Sequence, residues 1–126
     1  MTREKFNKQN SGTGLLHFIQ AFGWSVSGFK SAVKHETAFR QELFLFAIAV
    51  PLAFWFGNNG VERSLLVGSL MLVLMVELLN TAIESVVDRI SQELHYLSGR
   101  AKDLGSAAVF ISLLNAGSIW ILVLFT

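Results

Sequence analysis

The sequence predicts an all-α membrane protein, with three transmembrane helices preceded by an amino-terminal amphipathic surface helix. Three observations predict it. Hydrophobic residues make up 52% of the 126 and charged residues only 15%, with a mean hydropathy of +0.52, too apolar for an ordinary water-soluble domain of this size. Three apolar runs, Leu43–Phe56, Leu65–Leu79 and Leu104–Phe125, are separated by turn-forming or charged segments. Ahead of them, Leu15–Lys34 repeats apolar residues every three or four positions, the period of a one-sided helix.

In chain order, Met1–Thr13 mixes Arg3, Lys5 and Lys8 with polar residues and glycine, and reads as a disordered basic tail over 1–13. Residues 14–126 then form a single membrane domain. The surface helix is expected at about 14–35: Leu15, Phe18, Ile19, Phe22, Val26, Phe29 and Val33 make the apolar face, while Lys30 and Lys34 lie off it. That pattern suits a helix lying flat among headgroups, with Trp24 at the interface; the same pattern also fits a helix packed on a water-soluble core. A cleaved signal peptide is disfavoured, because His17, Gln20, Ser25, Ser27, Lys30 and Ser31 interrupt any apolar core.

The spans are expected at about 38–57, 64–90 and 102–125. The uncharged part of the first, Leu43–Phe56, is short against the roughly 20 residues a span needs. Residues 38–42 therefore enter the membrane interface, with Arg40 and Glu42 facing protein or water. Pro51 bends this helix without ending it, and Gly57-Asn58-Asn59-Gly60 is a turn. The second span passes without a break into a polar continuation as far as Ile90, and the third is uncharged for long enough to cross unaided. Of the ten Lys and Arg, six precede Leu43, three lie between the second and third runs, and only Arg63 lies in the first connection. The positive-inside rule then puts the amino terminus and the 88–103 loop in the cytoplasm.

Met75–Asp103 carries the chemistry. Glu77, Asn80, Glu84 and Asp88 follow one another at spacings of three, four and four, which confines them to one stripe of a helix, while Leu78, Leu79, Ile83, Val86 and Val87 make its other sides apolar. An acid inside a span is costly enough to mark a functional site. With only three spans, this stripe faces lipid unless another chain covers it, so the chain is expected to oligomerise. Acids and Lys102 near one membrane face can hold a hard divalent cation and a phosphate chain.

Other chemistries are excluded or weakly supplied. Ten basic residues balanced by nine acids give a net charge of +1, which provides no basic surface for nucleic acid. The absence of cysteine removes disulfides, thiolate metal sites and thiol nucleophiles. No phosphate-loop, kinase, zinc-protease or serine-hydrolase signature is present. His35 and His95 are too isolated for a metal site, Asp88 suits a structural role at the helix exit, and Lys102-Asp103 also suits a headgroup anchor. A small channel or carrier subunit remains open, although it needs polar residues along the outer half of the spans, where Leu65–Val76 offers only Gly68 and Ser69 and the third span only Ser112, Asn115 and Ser118. A purely structural assembly also remains open.

The stretch VELLNTAIESVVDR, preceded by KHETAFRQE and followed by ELHYLSGRAKDLGSAAV, resembles the bacterial integral-membrane diacylglycerol kinase family from about Gly14 to the end of the chain. The resemblance implies a homotrimer in the bacterial inner membrane that transfers the ATP γ-phosphate to the hydroxyl of diacylglycerol, with Mg2+ accompanying ATP. It implies Glu77 as general base and Glu36 and Glu84 as magnesium ligands. It further implies ATP contacts from His17, Trp24, Glu36, Glu84, Glu93, His95, Lys102 and Asp103. Lipid contacts are implied for Ala21, Ser25, Lys30, Glu77, Asn80 and Ser106. His17 and Trp24 depart from the basic residue and the tyrosine usual at those positions. KHE is shared with kinases of undecaprenol, whereas SGRAKDLGSAAV is more similar to the diacylglycerol enzymes.

Overall fold

The computed structural model describes residues 14–90 and 95–126, so the expected basic tail lies outside the described residues. Every described element is an α-helix: α1, Gly14–His35; α2, Thr37–Phe56; α3, Gly60–Ile90; and α4, Tyr96–Phe125. α1 forms one compact unit, and α2 to α4 form a second.

α1 ends with Lys34 and His35 in its last turn, where cations suit the carbonyl end of the helix dipole. Its last backbone bond runs from the Glu36 N–H to the Ala32 carbonyl at 2.9 Å. Leu15, Phe18, Ile19, Phe22, Val26 and Phe29 are all exposed. Apolar side chains of that face thus lie at the surface of the α1 unit, the arrangement a helix at a lipid interface requires.

In the second unit, α2 remains helical through Pro51. It stops at Gly57, where a Cβ would lie 2.6 Å from the Arg63 Cγ and 2.8 Å from the Ala53 carbonyl oxygen, a space that only glycine fits. The turn is shorter than expected, because α3 begins at Gly60 rather than near residue 64. The Glu62 N–H donates to Asn59 Oδ1 at 2.9 Å, and the Asn58 N–H donates to Glu62 Oε2 at 2.7 Å. This reciprocal cap starts the helix in polar sequence. α3 runs for 31 residues, roughly 46 Å at 1.5 Å per residue, so it outruns a hydrocarbon layer of about 30 Å and carries its polar end beyond it.

All three helices are long and apolar enough to span a membrane, and only 11%, 28% and 11% of their most apolar windows are buried. So much uncovered hydrocarbon is explained by contact with lipid or another chain. The packing that does exist runs along α3, which contacts both α2 and α4. Its buried line is Leu66, Ser69, Val73 and Glu77, and α4 presents Gly105, Ser112 and Ala116. These small residues let the helices approach closely. The buried hydroxyls satisfy themselves within their own helices, Ser69 on the Leu66 carbonyl at 2.8 Å and Ser112 on the Val109 carbonyl at 2.7 Å. A cross-helix bond is added by Trp120, whose Nε1–H donates to the Leu66 carbonyl at 3.2 Å.

Candidate active site

The polar stripe of α3 changes environment along its length, which divides it into three connected stations. Glu77 continues the buried line and is only 9% exposed. Its carboxyl hydrogen-bonds that of Glu42 on α2. This corrects the expectation that the whole stripe faces lipid in a single chain, because α2 packs on α3 and covers Glu77. Glu42 Oε2 is buried with no N–H or hydroxyl donor. Beside it lies a cavity of about 120 Å³ whose lining is apolar apart from Glu42, with Phe46, Leu70 and Leu113 among its walls.

One turn on, Asn80 and Glu84 are half-buried. Asn80 Nδ2–H donates to Glu84 Oε1 at 3.2 Å, which holds the carboxylate without neutralising it. The Asn80 Oδ1 is buried with no hydrogen-bond partner and stands over the backbone of Gly105 on α4. At the third station Asp88 meets Lys102 at 2.6 Å, with both side chains well exposed. Asp88, expected to have a structural role at the helix exit, is the partner of a residue that the resemblance assigns to the nucleotide.

The remaining candidates are distributed as follows. Asp103 and Ser106 are exposed on α4. His95 serves as the N-cap of α4, its Nδ1 accepting the Leu97 N–H at 3.1 Å, which explains why that helix begins at Tyr96, ahead of the uncharged run. Glu93 lies outside the described residues. In the α1 unit, the His17 and Trp24 rings meet edge to face at 6.3 Å and 79°. Ser25 Oγ donates to the Ala21 carbonyl at 2.9 Å, Lys30 is exposed, and Glu36, the residue that follows α1 in sequence, is half-buried.

Among the described residues, no three His, Asp or Glu side chains converge into a metal cluster. The donor chemistry still fits magnesium. The metal commonly takes one or two carboxylates and completes its shell with water and substrate phosphates, and Glu84 is a carboxylate steadied by a neutral amide at the polar end of α3.

Sequence reasoning missed Glu42 as a site residue. The available signal was its position as the last charge before an uncharged run, which required it to face protein or water.

The model of the prokaryotic diacylglycerol kinase family matches residues 23–124. The chain is 54% identical over 108 residues to a diacylglycerol kinase of Haemophilus influenzae, covering 86% of this chain and 92% of that one. It is 48% identical over 117 residues to a diacylglycerol kinase of Escherichia coli, covering 93% and 96%. With a diacylglycerol kinase of Pseudomonas aeruginosa it shares 45% over 112 residues, covering 89% and 91%. Three apolar helices, an acid buried between two of them and a match across nearly the whole chain lead to one assignment: this chain belongs to the prokaryotic diacylglycerol kinase family.

Proposed function

We propose that the protein is a lipid kinase that transfers the γ-phosphate of ATP to the hydroxyl of diacylglycerol, giving phosphatidic acid, at the cytoplasmic face of the bacterial inner membrane. The observation that carries this reading is the graded stripe on α3. It runs from a carboxyl pair buried among apolar helices (Glu77 with Glu42), through Asn80 and Glu84, to the exposed Asp88–Lys102 pair. A lipid alcohol arrives from the bilayer and ATP from water, and such a stripe serves both.

In the reaction the lipid hydroxyl oxygen forms a bond to the γ-phosphorus, the bond to the bridging oxygen of ADP breaks, and Glu77 accepts the hydroxyl proton. Glu42 orients Glu77 through their shared hydrogen bond. Magnesium, when bound with ATP, neutralises charge on the phosphate oxygens. Glu84 and Glu36 would hold it, and Lys102 and Asp103 line the nucleotide side. Phosphoryl transfer depends on positioning and charge stabilisation more than on covalent help, which these residues supply. The partly uncovered helices support assembly into a homotrimer, with the amino terminus in the cytoplasm.

The test is purified protein in detergent or bilayers, given ATP, magnesium and either diacylglycerol or undecaprenol. Phosphatidic acid is the expected product. Phosphorylation of undecaprenol alone would move the enzyme to that branch of the family, and phosphorylation of neither lipid by the folded protein would sink the kinase reading.

A further inference from the structure

Gly105 has no place in the chemistry described so far, yet it is buried on α4 against Asn80 of the α3 stripe. A Cβ built on Gly105 would stand 2.1 Å from Asn80 Oδ1 and 3.2 Å from Asn80 Cγ, with no backbone atom of another helix among its nearest neighbours. The amide of Asn80 thus occupies the volume that any side chain at 105 would need. Its carbonyl end is buried without a hydrogen-bond partner and rests against the glycine, while its nitrogen end donates to Glu84 Oε1 at 3.2 Å. A planar amide fixed at one end has its other end fixed too.

From this contact we infer that Gly105 is a positioning residue: by leaving a bare backbone surface for the Asn80 amide, it aims the Asn80 N–H at Glu84 and presets that carboxylate for the metal–nucleotide complex. The inference rests on the proposed metal role of Glu84. Two physical points separate it from a mere packing role. The group displaced by a methyl at 105 is the tip of a short side chain, which can rotate away without moving either helix, and alanine is the better helix former. Substitution therefore leaves the fold standing and removes the aim. The Cβ position that glycine leaves empty is also filled by Asn80 Oδ1, so the amide keeps this orientation only while no side chain stands at 105.

The experiment uses the full chain assembled in detergent, with Gly105→Ala, Asn80→Ala and the double variant. Readouts are the apparent KM for magnesium-ATP, kcat, and the Asn80 side-chain amide resonances by NMR. Gly105→Ala is expected to shift the Asn80 resonances and raise the KM about 10-fold, the scale of a lost hydrogen bond to a charged group, with a much smaller change in kcat. In the Asn80→Ala background the same substitution should add nothing, because the space is already vacant. Equal losses in both backgrounds, or unmoved Asn80 resonances, would overturn the inference. So would failure of Gly105→Ala to assemble in both backgrounds, since the methyl would then be meeting something other than Asn80. Shifted resonances with an unchanged KM would instead overturn the metal role of Glu84 on which the inference stands.

Discussion

Glu42 offers the sharpest perturbation of the buried end of the site. Its carboxyl is the hydrogen-bond partner of Glu77, and Glu77 has little access to water at 9% exposure. Removing the partner therefore leaves a buried acid with nothing to hold its orientation. Glu42→Leu deletes the bond while keeping an apolar side chain of similar length beside the cavity. Glu42→Gln keeps a donor that can reach the Glu77 carboxylate. A hydrogen bond to a charged group contributes about 1.5–3 kcal/mol, which corresponds to about 10- to 150-fold in rate if the whole effect falls on the transition state. Glu42→Leu should thus lower kcat by that factor, and Glu42→Gln by only a few fold. Initial rates of phosphatidic acid formation at saturating diacylglycerol and ATP, on protein shown to be assembled and helical, are the assay. Near-normal turnover in Glu42→Leu would refute the coupling. A Glu42→Gln variant as impaired as Glu42→Leu would show that Glu42 handles a proton itself, not merely the orientation of Glu77.

Two further predictions concern the assembly and its orientation. Cysteine introduced at Asn59 should react with a membrane-impermeant reagent from outside the cell and cysteine at Ser98 should not. The chain has no cysteine of its own, and the reverse pattern would place the site away from cytoplasmic ATP. Inactive Glu77→Gln and Asp103→Asn chains, co-refolded, should recover activity if each site draws residues from neighbouring chains; recovery at no mixing ratio, with both variants inactive alone, would argue for sites built within one chain.

The parts of the fold that were legible in the sequence are those written in one dimension. Three apolar runs announced the spans, the first only when residues 38–42 are added to it, and the three-and-four spacing of Glu77, Asn80, Glu84 and Asp88 placed them on one stripe. What was not legible depends on which helix lies against which. The spacing on α3 says nothing about Glu42 on α2, so Glu77 read as uncovered until the packing of the two helices was known. Asp88 and Lys102 belong to different helices, and their pairing follows from the close contact of α3 with α4. Gly105 was visible as a glycine within SGRAKDLGSAAV, and the amide it accommodates was not. The helices begin ahead of the expected spans for a different reason. Asn59 with Glu62 and His95 with Leu97 open α3 and α4 through polar caps, where a search for apolar runs does not look.

The division of labour along α3 is the centre of the account, and Glu77 and Glu84 test it on one helix. They are seven residues apart, roughly 10 Å along the axis, with one buried beside Glu42 and the other at the polar end beside Asn80. The direct measurement is magnesium-ATP affinity and turnover for Glu77→Gln and Glu84→Gln in assembled protein. Loss of a proton acceptor should leave nucleotide binding nearly intact in Glu77→Gln while kcat falls by on the order of 10²–10⁴. Loss of a ground-state metal ligand in Glu84→Gln should raise the apparent KM for magnesium-ATP, with partial recovery at high magnesium. If Glu77→Gln binds magnesium-ATP as poorly as Glu84→Gln, or turns over at near-normal rates, the assignment of Glu77 as the base is wrong.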